Sequence, residues 1–182
     1  MKSGFASAFA FAMAVTVLAA AAAITIQLGG DKTASVAALE ALNVGWRFSD
    51  AAKIAEFTAT DVVVDSAYAS CGCGRTAPNA FLGLAREKAG RYFENSSAVL
   101  SDGVYTASFA NAQVESQLSD STCNLAGDVT VSVDAKVSSP NAFRRETLVM
   151  TRKLSVRKSE SSVKIDVSNE EGKLAGIEVE CG

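Results

Sequence analysis

The sequence predicts an α+β protein with a hydrophobic N-terminal membrane or stalk helix, further helices, and then a C-terminal antiparallel β-sheet. Three observations carry that expectation. No ionisable side chain lies between Lys2 and Asp31, and residues 5–28 are almost wholly apolar. From Thr33 the apolar residues recur at helical spacing, and from Asp102 onward the period drops to two. Residues 1–30 then form a short leader and a stalk helix, 31–98 a helical segment with a cysteine-containing loop, and 99–182 the sheet. The last two pack as one extracytoplasmic domain.

The first element is long enough to be an anchor. At 1.5 Å per residue a helix over residues 5–28 is about 36 Å long, against a hydrocarbon core of roughly 30 Å. Gly29, Gly30 and Asp31 can end or bend it. Val36, Leu39, Asn43, Trp46, Ile54 and Phe57 then approximate a helical stripe, and Ser49-Asp50 can cap a fresh segment, so one long helix or two shorter ones are allowed. Trp46 lies too far beyond Leu28 for an interfacial belt, which places it against the domain. Residues 61–70 read as either helix or strand, and 71–78 (CGCGRTAP) read as a loop. A helix follows over about 80–93, burying Phe81, Leu84, Ala85, Tyr92 and Phe93. Asn95-Ser96-Ser97 reads as a turn and is also a glycosylation sequon on Asn95.

Alternation dominates the C-terminal half. Val129, Val131, Val133, Ala135 and Val137 alternate with polar residues, the clearest strand in the chain. Leu148, Met150, Leu154 and Val156 give a second, with Arg152 interrupting its apolar side; Val163, Ile165 and Val167 give a third, and Ile177 with Val179 a fourth. Weaker strands cover 104–109 and 113–118. Clean alternation means one buried and one wet face, hence an antiparallel sheet covered by helix on one side.

Composition closes off much chemistry. The chain has no histidine, which excludes His-based zinc sites and Ser-His or Cys-His nucleophile pairs. Without Lys2 the remainder carries 16 basic and 20 acidic residues, no basis for nucleic-acid binding. Neither a phosphate-cradling glycine loop nor a calcium-loop spacing occurs, and no catalytic residue, cofactor or small-molecule substrate is indicated. A hydrolase using Ser-Lys or paired carboxylates, such as Asp61 with Asp65, is the residual enzymatic reading.

The four cysteines Cys71, Cys73, Cys123 and Cys181 are the one reactive constellation. In an oxidising exterior an even count favours disulfides. A Cys71–Cys73 ring would be strained, so each pairs with Cys123 or Cys181, fastening the C-terminal strand to the CGCG loop. The rival is an all-cysteine zinc site of these same four residues; paired C-x-x-C ligands are usual there, and this chain has one C-x-C and two lone cysteines. Arg144, Arg145, Arg152, Lys153, Arg157, Lys158 and Lys164 form a basic cluster that either meets anionic partners or pairs with Glu146, Asp166, Glu178 and Glu180 across strands.

The start Lys2-Ser3-Gly4-Phe5 looks like the junction cut by prepilin peptidases: a basic residue, a small residue, then a Phe opening the hydrophobic helix. With its short leader, β-rich head and cysteines in that head, the chain resembles archaeal type IV pilin-like surface proteins. The resemblance implies cleavage between Gly4 and Phe5, with the helix retained in the mature protein. It departs from bacterial pilins in having Phe9 where an acidic residue is common. Ala6, Ala10 and Ala14, like Gly4, Ala8, Ala12, Thr16 and Ala20, recur every four residues, a spacing that lets helices approach closely in a membrane or filament core. The expected partners are the lipid bilayer and other copies through this helix. The expected protein is a single-pass, membrane-anchored structural subunit with its C-terminal domain outside. The alternative is a secreted or anchored binding module for adhesion or ligand presentation that never polymerises, with ordinary cleavage in the alanine run at 19–23.

Overall fold

The computed structural model describes residues 32–119 and 123–181. The N-terminal apolar segment, with Gly4 and Phe5, lies outside the described residues. Among those described, no helix is long and apolar enough to cross a membrane.

Helix α1 spans Lys32–Cys71 without interruption, so Ser49-Asp50 starts no new element and the ambiguous 61–70 stretch is helical. The chain divides into two compact units, Met1–Asn43 and Val44–Gly182. In the first, Val36, Leu39 and Leu42 are exposed. In the second, α1 buries Val44, Phe48, Ala51, Ala55, Ala59 and Val62, spaced three or four apart on one face. The stripe expected from sequence is the opposite face. Trp46 is 78% and Phe57 72% exposed, which corrects the expectation that Trp46 packs into the core. The reason lies in size: the buried face is built largely of alanines, whose small side chains admit close packing but register weakly as a hydrophobic stripe.

A 3-10 turn at Pro78–Ala80 leads into α2, Phe81–Leu100. Proline suits such a start because it lacks a donor that the first turn cannot satisfy anyway. The buried positions are Phe81, Ala85, Ala89 and Phe93, four residues apart. Helix α2 runs beyond the expected end near Phe93, and the Asn95-Ser96-Ser97 triplet is helical, with the Ser96 and Ser97 hydroxyls bonded back to the Tyr92 and Phe93 carbonyls.

Five strands follow as an antiparallel meander in sequence order: β1 Thr106–Ser119, β2 Ala126–Ser138, β3 Phe143–Lys158, β4 Ser162–Asn169 and β5 Gly172–Glu180. Where sequence indicated two weak strands, β1 is one strand with a bulge. Ala110 pairs with Asp134 but Gln113 with Ser132, so one residue is extra, and Asn111 takes the left-handed φ of 54°. The extra residue reverses the inward phase, from Ala107 before the bulge to Val114 after it. Gly127 opens β2 at φ 149°, where a Cβ would collide with the Gln117 carbonyl of the paired strand. One sheet face is buried with the helices through Val129, Val131, Val133, Leu154, Val156, Ile165 and Val167.

The sheet is stepped. Strand β2 pairs with β3 along its whole length, from Ala126↔Ser155 to Ser138↔Phe143. Strand β4 reaches only residues 153–158 of β3. Residues 143–152 of β3 therefore have a strand neighbour on one side alone.

Candidate functional site

The cysteines form two disulfides, Cys71–Cys123 and Cys73–Cys181, with Cα–Cα distances of 5.4 Å in each. Cys71 closes α1, and the loop after it is held by a dense set of backbone contacts. Gly72 N–H donates to the Tyr68 carbonyl (2.8 Å), Ala77 N–H to Ser70 (3.1 Å), and Arg75 Nη1 to Ala69 (2.9 Å). Lys158 Nζ, from the end of β3, donates to the carbonyls of Gly72 and Arg75. The C-x-C spacing thus sends one sulfur into the core, where Cys71 and Cys123 are fully buried, and the next to the C-terminal end of β5. All four sulfurs are engaged, so the all-cysteine metal alternative has no thiolates left to ligate, and no metal-binding cluster occurs among the described residues.

The basic cluster of the sequence is not one surface. Arg144 lies over the Phe48 ring at 4.5 Å and pairs with Glu146 at 2.6 Å. Arg145 pairs with Asp134 at 2.9 Å, and Lys164 with Glu178 at 3.8 Å across β4 and β5. Asp166 is taken by Lys173 at 2.6 Å. Arg152 points into the core and is 4% exposed. Its guanidinium donates to Thr60 Oγ1 (3.1 Å), the Glu56 carbonyl (3.0 Å) and the Thr151 carbonyl (3.2 Å), tying β3 to α1. Burial lowers its pKa, and the Glu56 charge opposes that shift. Among the described residues no carboxylate lies within ion-pair distance of it. Removing Arg152 strands no opposite charge and leaves only carbonyls and a hydroxyl that also bonds within α1. Arg152→Met should therefore leave stability unchanged or raise it by about 1 kcal/mol, because an apolar isostere avoids the desolvation cost. Urea unfolding checks this, and a loss above about 2 kcal/mol would assign the guanidinium a net stabilising role.

Two acidic groupings are structural in their contacts. At the α1–α2 seam Tyr92 donates to Asp65, Lys88 Nζ donates to the Asp65 carbonyl (3.1 Å), and Thr58 and Ser96 bond at 3.0 Å. The hydrogen bond to Asp65 raises the Tyr92 pKa, while burial and then the Asp65 charge raise that of Asp61. On the uncovered sheet face Asp134 accepts from Thr147 (2.7 Å), Asn111 (3.0 Å) and Arg145 (2.9 Å), which holds its pKa at about 2. The bulge residue Asn111 is thereby fixed to β2. The expected carboxylate pair Asp61 and Asp65 sits at this seam one helical turn apart.

A cavity of about 500 Å³ occupies the step in the sheet, lined by Asp128, Thr151, Lys153, Asn169, Glu170 and Glu171. A second of about 150 Å³ adjoins it through Asp128 and Thr151, adding Glu115, Ser116, Gln117 and Thr130. Neither lining brings a serine and a lysine together. These residues form a cross-strand row, Gln117↔Asp128↔Lys153↔Ser168, and no sequence motif marked them, because register and strand length create the concavity. Asn95, the sequon residue, is exposed on α2, and the Ser97 hydroxyl accepts from Phe109 N–H at 2.9 Å.

Comparison with known proteins finds no matching family model, no matching curated protein and no matching solved structure.

Proposed function

We propose that the chain is a membrane-anchored extracytoplasmic structural protein, a pilin-like subunit of a surface assembly. The observation that carries this reading is the uncharged apolar run between Lys2 and Asp31, followed by a helix with large apolar side chains exposed at Val36, Leu39, Leu42, Trp46 and Phe57. A contiguous helix with exposed apolar residues suits packing against lipid or other subunits. The two disulfides support an oxidising exterior for the head. Its role is mechanical: the helix anchors and associates, and the cross-braced sheet presents a surface. The mature amino terminus tests this. A start at Phe5, found by N-terminal sequencing of protein purified from its native membrane, is the expected result. A start near Ile24 would overturn it in favour of ordinary secretion. The cavity on the uncovered sheet face favours a second reading, a binding module that does not polymerise; that reading requires the mature protein to remain monomeric in membranes.

A further inference from the structure

The three exposed strand margins of this sheet are treated differently. At β1 three outward backbone groups are satisfied from α2 and its C-cap: Ala107 N–H donates to Ser101 Oγ (3.1 Å), Phe109 N–H to Ser97 Oγ (2.9 Å), and Arg86 Nε donates to the Val114 carbonyl (3.1 Å). The short β5 carries Lys173, Glu178 and Glu180, the charges that commonly guard an edge. Among the described residues, the outward backbone groups of residues 143–151 of β3 have neither a helix bond nor a strand partner. Val156 N–H donates to Leu125 on the β2 side (2.8 Å), so even-numbered residues of β3 turn their backbone groups toward β2. Arg145, Thr147, Val149 and Thr151 turn theirs the other way, to an edge where only the Thr151 carbonyl has a described partner, Arg152. At one end of this edge stands exposed Phe143 (73%), in its middle exposed Val149 (64%), and at the other end the step with its cavity.

We infer that this edge pairs with the same edge of a second copy of the chain, antiparallel and centred on Thr147, so that the two sheets continue into one. Three features commit the site to that occupant. The first is fit in length. With Thr147 opposite its counterpart, Phe143 falls opposite Thr151 of the other copy, and each β3 begins where the other copy's β4 ends. A register shifted further would drive the β2–β3 hairpin into the β4–β5 turn. The second is shape: Phe143 and Thr151 lie on the same sheet face, and Thr151 lines the cavity, so the exposed ring is delivered to the concavity of the other copy. The third is charge. The cavity holds Asp128, Glu170 and Glu171 against the single cation Lys153, and the arriving strand places Arg145, which its own Asp134 already pairs, two residue pairs from the Thr151 lining. No like charges fall directly opposite: Arg144 meets Met150, Arg145 meets Val149, and Glu146 meets Leu148. A two-fold contact of this kind is isologous and closes at a dimer. The inference stands on the sheet alone and does not rest on the pilin-like reading.

The test uses the full-length chain in mild detergent, because α1 runs alongside β3, from Phe48 near Arg144 to Glu56 near Arg152, and antiparallel pairing would point the α1 helices of the two copies in opposite directions. All native cysteines are in disulfides, so one new cysteine reports one place. Opposed residues of a hydrogen-bonded antiparallel pair lie about 5.5 Å apart at Cα, within disulfide reach. Thr147→Cys should give a crosslinked dimer on mild oxidation, resolved on a nonreducing gel, while Leu174→Cys on β5 should not. Adding Val149→Lys to Thr147→Cys sets a lysine against Arg145 of the other copy and should cut the dimer yield several-fold, with the circular dichroism spectrum unchanged. Equal crosslinking at 147 and 174, or a yield indifferent to Val149→Lys in a folded head, overturns the inference. Should Val149→Lys fail to fold, the comparison of 147 with 174 decides alone.

Discussion

Replacing Cys71 and Cys123 together by alanine should destabilise the head by about 4 kcal/mol, the loss expected when a loop of this length is freed in the unfolded chain. The bridge joins residues 52 apart, and both sulfurs are fully buried between the end of α1 and the start of β2. In a domain of this size such a loss lowers the melting temperature by roughly 10 °C, which differential scanning calorimetry resolves. The second bridge closes a longer stretch, 108 residues, yet its loss should cost less. Once Cys71–Cys123 is closed the path round the second ring shortens to about half, so loop closure barely separates the two bridges, and the difference comes from Cys73 and Cys181 being only half-buried, so that little core packing goes with them. A larger loss from Cys73→Ala with Cys181→Ala would show that anchoring β5 matters more than sealing the core. Both double variants leave every other cysteine paired, which separates these effects from thiol exchange.

How much of this could be read beforehand depended on whether a feature is local. The valine alternation of β2 showed its strand and its buried face because the period of two is a property of the segment itself. That Cys71 and Cys73 each reach Cys123 or Cys181 followed from the count and from the strain of a Cys71–Cys73 ring, whereas which sulfur takes which partner is set by the fold. Alanine hid the buried face of α1. Ala51, Ala55 and Ala59 are completely enclosed, yet large exposed residues such as Trp46 and Phe57 dominate any hydrophobic pattern. The bulge in β1 hid a single strand by reversing its phase at Asn111. Arg152 stood out as a break in an apolar row, but its Thr60 and Glu56 partners lie over 90 residues away. The step in the sheet and its cavity were invisible for a similar reason: strand lengths and hairpin registers, set by long-range pairing, create them. The expectation of a leader cut at Gly4 and Phe5 concerns residues outside those described.

Phe93→Ala should be the costliest single substitution in the core, at about 3–5 kcal/mol. Phe93 is 1% exposed, and its ring sits 5.4 Å from that of Phe109 at an interplanar angle of 59°, a tilted arrangement suited to aromatic quadrupoles. It is the last buried position of the Phe81, Ala85, Ala89, Phe93 face, and the three residues before it on that face include two alanines that cannot spread to fill the space. The helix it anchors also supplies Ser97, and its C-cap Ser101, to the β1 edge. A shift of α2 toward the cavity would therefore strain those bonds, so the void should relax little and the cost should fall in the upper part of the range. Phe109→Ala removes a half-buried ring and should cost less, about 1–3 kcal/mol. The double variant should lose about 1 kcal/mol less than the sum, the coupling typical of one aromatic pair. Additive losses in urea unfolding would mean that the two rings merely share a neighbourhood, and that α2 is held on β1 by its serine bonds and the Phe81 end instead.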